Sequence, residues 1–218
     1  MFQVITISRE FGSGGGIVGR ILSERLSWKL LDASMIDEIA RAADIDPALA
    51  ERFDETTDPW FRRVVKALWQ GGYEGVASSG TGPRLADADL VAAEWRRVIL
   101  ESARIGHCVI IGHGGQCLLQ DREDTFHVSV YAPIKERVAR IRQRRPAERD
   151  PYALVQQMDH KRSVYIRRHF ERDWTDRHLY NLMICSSIGL EAACNCILCA
   201  MGLSEHSSQA ESKSLLTT

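Results

Sequence analysis

No stretch of the 218 residues reaches the run of about 18 apolar residues that a membrane-crossing helix requires. The opening Met1-Phe2-Gln3-Val4-Ile5-Thr6-Ile7 has no basic n-region and no small-residue cleavage site, so a secretory leader is not expected and a cytoplasmic protein is. Without a leader, the six cysteines do not suggest a disulfide framework. Three of them cluster as Cys194-Asn195-Cys196-Ile197-Leu198-Cys199, inside an apolar, helix-like run. There cysteine acts as a small hydrophobe, and no metal site is expected. Internal repeats are also absent.

What is present is ordinary globular composition, 44% hydrophobic and 26% charged, enough for one α/β domain. The net charge of −1 hides an uneven distribution. Arg137 to Arg177 holds twelve Lys or Arg against six Asp or Glu, a local +6, so the remainder carries −7. A basic segment in an acidic chain suggests a local anionic ligand, with a solvated helix face as the bland alternative. The acidic remainder and the lack of interleaved aromatics argue against nucleic acid.

Apolar spacing divides the chain into alternating strands and helices. Val4 to Ile7 reads as a strand, Gly12 to Gly16 interrupts it, and Val18 to Leu26 has helical spacing. Leu30-Leu31 is a second strand, followed by an N-cap at Asp32 or Ser34 and a helix through Ala43. Asp46-Pro47 and Asp58-Pro59 open further helices, Gly71 to Pro83 is a flexible loop, and Asp89 to Arg104 is amphipathic. Cys108 to Ile111 and Phe126 to Tyr131 are buried strands, and Pro133 starts the next helix. The basic helices break near Pro146 to Pro151, Leu182 to Cys185 is a last strand, and Leu190 to Leu203 a last helix. From Ser204 the chain reads as a disordered tail. This alternation predicts a parallel sheet with helices on both faces and ligands at the carboxyl ends of the strands. The Gly12 loop, Gly112-His113-Gly114-Gly115 and Tyr131-Ala132-Pro133 all fall there.

Ser8-Arg9-Glu10-Phe11-Gly12-Ser13-Gly14-Gly15-Gly16 lies between the first strand and first helix. Glycines let amides point inward, and the helix N-terminus adds about half a positive charge, so the loop reads as a phosphate cradle. It departs from the Walker A pattern, whose Lys and Ser/Thr serve the phosphates and Mg²⁺. The first glycine position is Arg9 and the lysine position Gly15; the hydroxyl position, one residue beyond the strict spacing, is Ile17. Arg9 stands where its guanidinium would partly replace the lysine, or else pair with Glu10 or another carboxylate.

The string Ile5 to Gly15 with Ser23 to Leu26 resembles the cytidylate kinase-like family, a divergent branch of the P-loop nucleoside monophosphate kinases. The resemblance continues through Trp28 to Asp32, Val109 to Gly112, Asp159 to Tyr165, Asp173 to Asp176 with Tyr180, and Ile184 to Ser187. It implies a P-loop NTPase three-layer sandwich with a five-stranded parallel sheet and a helical lid. One domain would span residues 1–203, with the lid near 137–177 and a tail over 204–218. The resemblance further implies ATP and Mg²⁺ at Gly12, Ser13, Gly14, Gly15 and Gly16, and a nucleotide acceptor such as CMP near Asp32, Ser34, Gly112 and His113. Arg162 matches the lid arginine of an Asp-x-x-Arg motif. Arg9, Arg162 and Arg168 are the expected catalytic cations, and Arg137, Arg140 and Arg167 are further lid candidates by charge. Many members carry a basic residue where this chain has Gly16, an Arg where it has His113, and an Asn where it has Cys185. These departures leave a second function open, a non-catalytic nucleotide-binding pseudokinase.

Overall fold

A computed structural model describes residues 1–35 and 88–203. The helices expected after Asp46 and Asp58, the Gly71 to Pro83 loop and the tail from Ser204 lie outside the described residues. Five parallel strands form one sheet: β1 (Val4–Arg9), β2 (Lys29–Leu31), β3 (Cys108–Ile111), β4 (Thr125–Tyr131) and β5 (Leu182–Cys185). Their spatial order is β2-β3-β1-β4-β5, which puts β1 at the centre.

The interleaved helices are α1 (Gly15–Leu26), α2 (Ala88–Ile105), α3 (Gly115–Leu118), α4 (Ile134–Arg144), α5 (Pro151–Phe170) and α6 (Leu190–Ala200). Alternation along the strands separates two cores. Val4, Cys108 and Ile110 face Val98, Ile99 and Ala103 of α2, with Leu119 beyond α3. Ile5, Ile7, Val109 and Val128 face Val18 and Leu22 of α1 and Ala193, Cys194 and Ile197 of α6. Each fully buried Val, Ile or Leu contributes about 1.5–3 kcal/mol, so both sheet faces must be covered. The result is the expected three-layer α/β sandwich with a parallel five-stranded sheet.

Local signals account for the boundaries. Asp150 caps α5 by accepting from the Ala153 amide at 2.9 Å, and Pro151 occupies the first turn, where no donor is needed. The same Asp-Pro pair separates α4 from α5. α1 begins at Gly15, three residues before its first apolar contact, because the glycines before Val18 continue the helix without burying a side chain. In α6 the small-hydrophobe reading holds for Cys194, buried 3.8 Å from the Val18 carbonyl, whereas Cys196 and Cys199 are exposed. Among the described residues no group of three metal-ligating side chains forms, and no helix is long and apolar enough to cross a membrane.

Candidate phosphoryl-transfer site

Because the strands are parallel, the carboxyl ends of β1, β2 and β3 open at one pole, where the glycine loop and Gly112 to Gly115 converge. The loop turns through Gly12 (φ +82) and Gly14 (φ +87) into α1. Ser13 is fully buried, and its Oγ lies 3.4 Å from the Gly15 amide. Within the described residues the amides of Gly12, Gly14 and Gly16 donate to no protein group, which leaves them for an anion at the helix N-terminus. Gly15 and Gly16 differ sharply. A Cβ on Gly15 would lie 2.6 Å from the Cβ of Arg9 and 3.2 Å from that of Val130. A Cβ on Gly16 would meet nothing within 4 Å. Sequence spacing assigns the missing lysine to Gly15, but only Gly16 has room for a side chain.

Two arginines of the basic segment hold the loop in shape. Arg137 is buried; it ion-pairs with Asp159, lies 3.3 Å from Glu10 and approaches the Phe11 carbonyl at 3.4 Å. Asp159 Oδ1 accepts from the Phe11 amide at 2.7 Å. Arg140 donates to the carbonyls of Gly12 (3.3 Å) and Ser13 (3.0 Å) and to Ser186 Oγ (3.0 Å). Ser186 Oγ in turn donates to the Ser13 carbonyl at 2.5 Å. Charge makes Arg137 and Arg140 lid candidates; in the structure they hold the carbonyls of Phe11, Gly12 and Ser13. Glu10 also accepts from the Ala132 amide at 3.0 Å, so it is occupied by Arg137 and β4, and Arg9 does not pair with it.

Arg9 turns the other way. Its Cβ covers Gly15 and its guanidinium rests on Gly112, where a Cβ would overlap Nη1. Gly112 is also left-handed (φ +82), so glycine is required there on both counts. Burial pushes the Arg9 guanidinium down to about 9; the positive Arg162 acts the same way, and Asp32 opposes both. An arginine keeps its proton at neutral pH, so this is a half-buried cation with no ion-pair partner among the described residues.

That cation lines a cavity of ≈ 400 Å³ beside the loop, together with Gly112, His113, Lys161, Arg162, Tyr165 and Trp174. No Asp or Glu is among the described lining residues. Arg162 donates to the Arg9 carbonyl at 2.9 Å and lies 3.6 Å from Asp159. Burial lowers its pKa, Asp159 opposes the shift and Arg137 adds to it. His113 meets Trp95 edge-on, ring centroids 4.2 Å apart. Tyr180 donates to the Trp174 carbonyl at 2.6 Å, fixing the segment that carries Trp174 over the cavity.

The remaining expected residues lie around this cavity or away from it. Asp32 accepts from Ser34 Oγ at 2.7 Å and from the Met35 amide at 3.1 Å, and Ala33 between them lines the cavity. Burial pushes the Asp32 carboxyl up, but hydrogen bonds from Ser34 and the Met35 and Ser34 amides, with the nearby Arg20, bring it below the usual range. Arg167 and Arg168 are exposed on α5 and do not line the cavity. Asp159, Lys161, Tyr165 and Trp174 stand inside the strings that carry the resemblance, and Glu10 was offered only as a partner of Arg9; none of them was expected to hold the loop or line the cavity. One signal was available: Met158, Lys161, Arg162, Tyr165 and Ile166 recur at i, i+3, i+4, i+7 and i+8, the single face that α5 turns to the cavity.

The geometry has counterparts elsewhere. An uncharacterized protein from Eubacterium ventriosum has a similar fold, with a TM-score of 0.65, 20% identity, and 90% of this chain and 96% of that chain covered. A shikimate kinase from Bacteroides thetaiotaomicron superposes with a TM-score of 0.48 at 15% identity, over 92% of this chain and 99% of that one. A second, from Acinetobacter baumannii in complex with shikimate, gives 0.41 at 18%, over 84% and 83%. Both likenesses are too slight to bear on the site. No functionally curated protein matches the chain. The model of the cytidylate kinase-like family matches residues 4–188, from the first residue of β1 past the last strand. With the sheet order, the loop after β1 and the basic helices in their expected places, the chain is a P-loop NTPase-fold protein and belongs to the cytidylate kinase-like family.

Proposed function

We propose that the protein is a nucleotide kinase that transfers the γ-phosphoryl group of ATP to CMP or a related monophosphate. The observation that carries this reading is the cavity at the end of β1, where Arg9, Lys161 and Arg162 stand together with no carboxylate among the described lining residues. A half-buried arginine with no ion-pair partner among the described residues attracts an anion, and an acceptor phosphate supplies one. The glycine loop, which begins three residues further along the same strand end at Gly12, would hold the donor phosphates on its amides. Phosphoryl transfer requires little covalent help from protein groups; it depends on alignment and on cations around the transferred group. Arg9 and Lys161 would hold the acceptor, Arg162 would face the transferred group, and α4 with α5 over residues 137–177 would act as the lid that excludes water.

Mg²⁺, when bound, would offset charge on the donor phosphates. Ile17 provides no hydroxyl for it, so phosphate oxygens and water would supply its ligands. The residue range 1–203 is proposed as one kinase domain, and a cytoplasmic setting suits ATP as donor. The second reading, nucleotide binding without transfer, is favoured by Gly16, which leaves the loop without a cation of its own.

An ADP-release assay with ATP and Mg²⁺ against a panel of nucleoside monophosphates, run beside calorimetry with ATP alone, separates the two. Acceptor-dependent turnover supports the kinase. ATP binding with no turnover for any acceptor would sink the kinase and leave the pseudokinase.

A further inference from the structure

Phe11 of the glycine loop meets four residues of the basic segment. Its amide donates to Asp159 at 2.7 Å and its carbonyl faces Arg137 at 3.4 Å. Its ring lies under two guanidinium groups, with the Arg162 carbon 5.6 Å and the Arg145 carbon 5.9 Å from the ring centroid. Arg145 is the exposed residue that follows and caps α4, and among the described residues it forms no ion pair. The ring is half-buried and belongs to the glycine loop itself.

We infer that Phe11 is a positioning residue: its ring holds Arg145 and Arg162 at the mouth of the loop, ready for the donor phosphates. The inference rests on the phosphoryl-transfer reading for its purpose, but its physical basis stands alone. A carboxylate in this position would bind both arginines through charge-assisted hydrogen bonds and would repel the incoming phosphates. An aromatic face attracts a guanidinium more weakly and carries no net charge. It therefore keeps the cations near the loop and releases them to a stronger anion. In a loop whose own cation position is Gly16, this arrangement supplies positive charge from the lid.

The test compares Phe11→Leu, which keeps an apolar side chain and removes the π face, with Phe11→Trp, which strengthens it. Amide hydrogen exchange along Asp159–Phe170 is measured in the full chain without ligand, and kcat and KM for ATP are measured where turnover exists. Phe11→Leu should speed exchange in α5 at least about fivefold, roughly 1 kcal/mol. It should also raise KM for ATP by a similar factor, and Phe11→Trp should restore both. Wild-type exchange in Phe11→Leu overturns the inference. Equal disruption by Leu and Trp also overturns it, because the ring would then be mere packing. If the wild-type protein phosphorylates no acceptor, the kinase reading fails, while the exchange comparison still decides the role of Phe11.

Discussion

Gly16→Lys adds the cation that the loop lacks, at a position where the structure has room. A Cβ there meets nothing within 4 Å, and the residue does not need positive φ. Two effects should follow, and they are separable. Gly16 is the second residue of α1, so any side chain reduces the entropy lost on folding; Gly16→Ala should stabilise by about 0.5–1 kcal/mol. In a chain of this size that raises Tm by roughly 1–4 °C. Lysine adds a charged hydrogen bond to phosphate, worth about 1.5–3 kcal/mol. Like-signed interaction with the helix N-terminus offsets about 0.3–1 kcal/mol of that. The remainder, roughly 0.5–2.7 kcal/mol, predicts ATP binding about twofold to ninetyfold tighter than in Gly16→Ala. Calorimetry with ATP and thermal unfolding of both variants check this. If Gly16→Lys binds ATP no more tightly than Gly16→Ala, the open side of Gly16 does not face the phosphates and the cradle is misassigned.

Arg9→Met removes a half-buried cation that has no ion-pair partner among the described residues. The ligand-free protein should lose no stability by thermal unfolding, while KM for the monophosphate rises at least tenfold, about 1.4 kcal/mol, and ATP affinity changes less. A rise confined to ATP would place the guanidinium on the donor side instead. Arg137→Met takes a guanidinium from Glu10 and Asp159, which keep the Ala132 and Phe11 amides, so denaturant unfolding should show a loss of about 1.5–3 kcal/mol; a loss under 1 kcal/mol would mean the loop does not depend on this pin. His127, whose Nδ1 lies 2.7 Å from Thr6 Oγ1, is held below its ordinary 6.5 mainly by burial, with the Leu119 carbonyl opposing. Below pH 6.5 the unfolded chain therefore binds a proton that the folded one refuses, and stability falls as pH falls, by at most about 1.4 kcal/mol per pH unit. His127→Gln should flatten that slope in urea titrations at pH 5 to 7; an unchanged slope would assign the acid sensitivity elsewhere.

The layers were legible because burial on both faces of a parallel sheet leaves continuous apolar runs. Cys108 to Ile111 and Leu182 to Cys185 were read at their observed limits. The glycine loop was legible because its composition answers a local backbone need. Side-chain destinations were not. Arg137 and Arg140 look like any other arginines of a +6 segment; what decides their role is Glu10, Asp159 and the loop carbonyls, and some of those partners lie more than 120 residues away. Arg9 was placed beside the loop by its position at the strand end, but the sequence does not show that its guanidinium packs against Gly112 at the cavity. The aromatic partners Trp95 and Trp174 come from elements whose packing no local pattern encodes.

Following the γ-phosphoryl group itself tests the central claim most directly. With γ-labelled ATP, Mg²⁺ and a saturating monophosphate, the account predicts that label appears in the nucleoside diphosphate product. It also predicts that Arg162→Met slows that transfer at least tenfold, and that Arg9→Met slows it as much once the monophosphate is held below its KM. Label found only in inorganic phosphate, or retained in ATP with every acceptor, would contradict it.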